Sequence, residues 1–92
     1  MHLNITYQLT GGNASTVSIT PAVWIRWERR FKTKIGNLEK NGLGYEDLAF
    51  LAYEAAKSAG EIKGTTTFDG FVDQLEQLDA DGMDTNPTSP GA

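Results

Sequence analysis

The stretch Pro21 to Ile35, PAVWIRWERRFKTKI, constrains this chain more than any other part of it. It holds both tryptophans and five of the eight basic residues: Arg26, Arg29, Arg30, Lys32 and Lys34. With each residue turning a helix by roughly 100°, Trp24, Trp27, Phe31 and Ile35 fall on one stripe, and Arg26, Arg29 and Arg30 fall opposite. The fold must therefore bury an aromatic stripe on one side of a helix while the other side meets water or a partner. Thr20-Pro21 supplies the start, because a threonine hydroxyl caps a free N–H and proline needs none at the first helical position. Gly36 is the expected left-handed cap at its end.

Before this helix, Leu3, Ile5, Tyr7 and Leu9 alternate with Asn4, Thr6 and Gln8, the pattern of a strand covered on one face. Gly11, Gly12 and Asn13 form a turn, and Val17 and Ile19 resume the alternation, so the two runs predict a β-hairpin. After it, a glycine- and asparagine-rich connector over 36–44, with Leu38 and Leu43 as anchors, leads to a second helix over 45–59. Its inner stripe is Leu48, Leu51, Ala52, Ala55 and Ala59, Phe50 and Tyr53 point elsewhere, and Gly60 closes it. A third helix starts from Thr67 as N-cap, carrying Phe68, Phe71, Val72, Leu75 and Leu78 at helical spacing. The expected fold is thus α+β but mainly α. A single domain over residues 1–78 packs an N-terminal β-hairpin (2–20) on a three-helix unit (about 21–35, 45–59 and 67–78). A disordered acidic tail, rich in proline and glycine, occupies 79–92.

Ninety-two residues give one small core, and the absence of cysteine removes disulfides and thiolate metal sites. No apolar run reaches the ~20 residues that cross a bilayer, so the expectation is a soluble, intracellular protein without a membrane segment. The net charge of −4 hides an asymmetry. The basic residues crowd into 26–34, whereas from Thr65 onward there is no basic residue and Asp69, Asp73, Glu76, Asp79, Asp81 and Asp84 accumulate.

The chain carries almost no pattern of catalytic or metal-binding residues. His2, the one histidine, has no cysteine or carboxylate beside it to make a metal or catalytic set. The run Asp79 to Asp84 places glycine fourth instead of sixth and lacks the closing glutamate of a calcium loop. Gly42-Leu43-Gly44 is no dinucleotide fingerprint, and Asn4-Ile5-Thr6 and Asn13-Ala14-Ser15 match the glycosylation pattern by chance. Glu46/Asp47 and Asp73/Glu76 fall on polar helix faces with no cleft to shift them toward acid–base work. The expectation is a non-enzyme with no metal and no cofactor.

Several segments together carry a family likeness. They are the helix Trp24-Ile25-Arg26-Trp27-Glu28-Arg29-Arg30-Phe31, the run DLAFLAYEAAKSAG (Asp47 to Gly60), FDGFVDQLEQLD (Phe68 to Asp79) and a closing NPTSP (Asn86 to Pro90). Over roughly Trp24 to Pro90 the chain resembles the small tail assembly chaperones of long-tailed (siphovirus-type) bacteriophages. The resemblance implies a protein of the infected host's cytoplasm that binds the tape measure protein and keeps it soluble while tail tube subunits polymerise around it, and that is not part of the mature virion. It also implies a longer form, made by frameshifting near the end of the short one, that reaches the tail tube protein.

For such a role the aromatic supply matters more than any motif. Phe50 and Tyr53, off the main stripe of their helix, are the expected contacts to a client or to another copy, with Arg26, Arg29 and Arg30 as the charged partner-binding face. The hairpin edge offers a route to a homo-oligomer by strand addition. Two alternatives stand beside this reading: a small nucleic-acid-binding regulator using the arginine face, which the acidic total charge disfavours, and a structural head or tail connector subunit.

Overall fold

In a computed structural model of the chain, which describes residues 3–34 and 42–81, the leading alternation becomes β1 (Asn4–Leu9). Leu3, Ile5 and Tyr7 are buried at 1%, 0% and 4% exposure, while Asn4, Thr6 and Gln8 line the other face. β2 (Ser15–Ser18) returns antiparallel with Ile5 opposite Val17. On the outer face the cross-strand pairs are polar: Thr6 and Thr16 share a hydroxyl–hydroxyl bond of 2.8 Å, and Ser18 Oγ donates to Asn4 Oδ1 at 2.8 Å. Gly11, at φ 78°, turns the chain between them.

Helix α1 (Pro21–Phe31) begins as its sequence requires, with Thr20 Oγ1 accepting from Val23 N–H and proline at the first position. It buries Val23, Trp24 and Trp27 and leaves Arg26, Arg29 and Arg30 exposed. It ends earlier than expected. Lys32 takes the left-handed conformation (φ 53°, ψ 43°) and its N–H bonds Glu28 C=O, so the cap falls four residues before Gly36. Ile35, Gly36 and Leu38 lie outside the described residues.

Helix α2 (Tyr45–Ala59) runs from Gly44 to a left-handed Gly60 (φ 77°). Asp47 Oδ2 accepts from the Gly44 N–H at 2.8 Å, tying off the first turn. Its buried face is wider than one stripe: Ala49 to Tyr53, Ala55 and Ala56 are all buried, while Ala59 is exposed and Leu48 is half-buried. The width follows from position, since α2 touches α1, the third helix and every strand.

The final stretch departs from the expected architecture. α3 (Phe68–Gln74), capped by Thr67 Oγ1 on Gly70 N–H at 3.0 Å, stops four residues short of Leu78. Residues Leu75–Asp81 form β3, antiparallel to β1 on the side away from β2, giving a three-stranded sheet of order β2-β1-β3. The chain is therefore a small α+β fold with a full sheet, not a mainly helical unit carrying a hairpin. The strand also claims Asp79, Ala80 and Asp81, which the expected tail began with, and residues 82–92 lie outside the described residues.

The helical reading of Leu75 and Leu78 failed for an identifiable reason. Gln8 pairs with Gln77 and Leu9 with Leu75, so Glu76 is an extra residue in the ladder. Such a bulge lets two residues three apart face the same side, which mimics the spacing of a helix. The same strand fills the β1 edge that had been expected to stay open for strand addition.

Candidate partner-binding surface

The aromatic side chains form a continuous column through the helical layer. Trp24 meets Trp27 edge-on at 5.5 Å, Trp27 meets Phe31, Phe31 meets Phe50 at 5.7 Å, and Phe50 meets Phe68 at 5.7 Å. Tyr53 then joins Phe68 to Phe71, and Phe71 packs on Tyr7 of the central strand. Offset and edge-on pairs of this kind add to what burial alone gives.

Polar ends of the column are held by named partners. Trp27 Nε1 donates to Asp47 Oδ1 at 2.8 Å, so the carboxylate that caps α2 also fastens α1 to it. Tyr53 Oη donates to Thr66 C=O at 2.7 Å and fixes the segment before α3. Tyr7 Oη donates to Glu61 Oε1 at 2.6 Å, and burial, reinforced by the bond to Glu61 and its negative charge, raises the phenol pKa far above 10. Trp24 Nε1 is the exception: it is buried without a hydrogen-bond partner among the described residues.

This geometry relocates the side chains singled out from sequence. Phe50 and Tyr53, expected on a contact surface, are 6% and 7% exposed and belong to the core. Leaving the inner stripe of α2 does not expose them, because α1 and α3 flank that helix. Arg26 bridges α1 to α2, its Nη1 lying 3.3 Å from Glu54 Oε1 and from Ser58 Oγ. Arg30 lies over the column, its guanidinium carbon 4.9 Å from the Phe68 ring centre and 5.2 Å from that of Phe50. Arg29 is exposed. The three arginines are thus not an equivalent set, since two are engaged within the fold.

An open apolar groove lies elsewhere among the described residues. Between the first turn of α2, α3 and the outer strand β3 runs a groove of about 700 Å³. Its apolar lining is Tyr45, Ala49, Phe68, Val72, Leu75 and Leu78. Tyr45 is 78% exposed and Val72 40%, and Leu75 and Leu78 are only half-buried. Glu46, Asp69, Glu76 and Asp79 also line it, and among the described residues every charged side chain in the lining is acidic. No sequence signal marks this groove, because Phe68, Val72, Leu75 and Leu78 read as the inner stripe of one helix, and Tyr45 and Ala49 come from another element.

Among the described residues no group of three or more histidine, cysteine or acidic side chains is placed to hold a metal ion, and no helix is long and apolar enough to cross a membrane. Compared with known proteins, the chain matches no family model, no curated protein and no solved structure.

Proposed function

We propose that this chain is a non-enzymatic tail assembly chaperone of a long-tailed bacteriophage, working in the host cytoplasm. It binds the tape measure protein, keeps that long helical client soluble until tube subunits surround it, and is left out of the finished particle. A longer frameshifted form would carry the contact to the tail tube protein. The likeness over Trp24 to Pro90 motivates the reading, and one structural observation supports it. The groove between α2, α3 and β3 leaves apolar side chains uncovered, as a surface that docks an amphipathic helix must.

The nucleic-acid alternative gains no support from the arginines, because Arg26 is paired with Glu54 and Arg30 lies on the aromatic column. The test is co-expression with the tape measure protein encoded by the same phage, followed by pull-down and comparison of infected-cell extract with purified virions. The expected outcome is a soluble complex that Val72→Asp weakens, with the chain abundant in cells and missing from particles. Finding it as a stoichiometric component of virions would favour the connector reading instead.

A further inference from the structure

We infer that the groove selects its occupant by charge: it takes an amphipathic helix whose apolar stripe is flanked by lysine or arginine, and it rejects an equally apolar helix flanked by carboxylates. This rests on the reading of the groove as the client site and adds a rule for what the client segment must look like.

The floor supplies attraction without selectivity. Tyr45, Val72, Leu75 and Leu78 present apolar surface that any helix with residues at i, i+3, i+4 and i+7 would cover. Selectivity comes from the edges, where Glu46 begins α2, Asp69 begins α3, and Glu76 and Asp79 lie along β3. Carboxylates thus stand on each of the three elements that bound the groove, and among the described residues no lysine or arginine is in its lining, Arg30 lying over the ring of Phe68. A cationic flank would gain from these charges and a like-charged one would meet repulsion.

Glu76 owes its presence at this place to the bulge opposite Leu9, which inserts it between two inward-facing leucines. The chain's own continuation is a poor occupant. Residues 82–92 contain Asp84 and two prolines among glycines, so they share the sign of the groove and lack helix-forming sequence. A polyanion is opposed for the same electrostatic reason.

The experiment uses the full chain and three fluorescent helical peptides of about 18 residues. One has a leucine stripe flanked by lysines, one has the same stripe flanked by glutamates, and one has lysines with the leucines scrambled around the helix. The expected result is that the lysine-flanked stripe binds at least tenfold tighter than the glutamate-flanked one, and that raising salt from 50 to 500 mM narrows the gap, as screening requires. The doubly substituted chain Glu76→Lys, Asp79→Lys should reverse the preference, with circular dichroism checking that it stays folded.

Equal binding of both striped peptides overturns the charge rule and leaves the groove as a helix site. No binding of either striped peptide to a folded chain removes the groove itself and with it the structural support for the proposed function. Binding of the scrambled peptide as well as the lysine-flanked stripe would show a purely ionic association and also overturn the inference. Concentration-dependent self-association that Arg29→Glu abolishes would assign the groove to a second copy of this chain, and it too overturns the inference.

Discussion

The aromatic column and the groove over β3 draw on the same kinds of side chain and treat them oppositely. In the column, most rings are buried, Phe31 and Phe68 being half-buried, and most of their polar atoms have a partner: Asp47 for Trp27, Thr66 for Tyr53, Glu61 for Tyr7. In the groove, Tyr45, Val72 and Leu78 stay partly open, and the polar neighbours are four carboxylates and Gln77, which donates to Asp79. Apolar composition alone does not tell a core from a docking surface. What separates them is whether the neighbouring elements close over the side chains and whether buried polar atoms are satisfied.

The sharpest way to break that comparison is truncation. Phe50→Ala removes a ring that touches Phe31, Tyr53 and Phe68 and should cost about 3 to 5 kcal/mol in urea unfolding. Val72→Ala, at a residue 40% exposed, should cost less than about 1 kcal/mol and weaken helix binding instead. Similar losses from both would erase the distinction.

Next in size is the polar fastening of the column. Asp47→Ala removes the acceptor for Trp27 Nε1 and for the Gly44 N–H at once, and should cost about 1 to 3 kcal/mol. A double-mutant cycle with Trp27→Phe should give a coupling of about 1 kcal/mol, and an additive pair would show that the indole bond contributes nothing.

A pH measurement sharpens the contrast further, because the column holds Tyr7, a phenol whose pKa is raised by burial. The folded state keeps Tyr7 protonated at pH values where the unfolded chain has lost that proton, with an ordinary pKa of 10.0. Its contribution is complete below pH 10 and declines as pH climbs toward the folded pKa, since the folded state then binds more protons than the unfolded one. Urea midpoints followed upward from pH 8 should fall above pH 10, and Tyr7→Phe should flatten that fall. An unchanged slope would mean that Tyr7 is not the group responsible.

The smallest effect belongs to the surface. Arg26→Ala breaks an ion pair whose arginine side chain is 47% exposed, and it should shift stability by no more than about 0.5 kcal/mol and leave helix-peptide binding unaltered. A larger loss would mean that this face belongs with the column and not with solvent.

Different parts of this structure were legible to different degrees. The alternation of Leu3, Ile5 and Tyr7, the Thr20-Pro21 start and the Gly60 cap are local signals, and the structure has a strand, a helix start and a helix end at those places. The end of α1 falls before Gly36 because a lysine, not a glycine, takes the left-handed cap. The last element has the apolar spacing of a helix because the bulge at Glu76 puts Leu75 and Leu78 on one side of a strand. Phe50 and Tyr53 read as contacts to a client or another copy because they lie off the main stripe of their helix, whereas the elements they meet are α1 and α3 of the same fold. Of the candidate surface, only its ingredients could be read, namely the acidic residues after Thr65 and the apolar residues among them.

By itself, then, the order of residues determined what local rules govern: alternation for β1, amphipathicity for α1, caps at Thr20, Thr67 and Gly60, and the separation of basic from acidic charge. Tertiary structure alone decided which strand fills the second edge of β1, which aromatic rings are enclosed, and where an apolar surface stays uncovered. Those outcomes depend on pairings between residues some 70 positions apart, such as Ile5 with Ala80, and on how many elements surround a given helix. A backbone hydrogen-bond ladder or a packed ring needs its partner in place, and neither leaves a periodic trace in the segment that receives it.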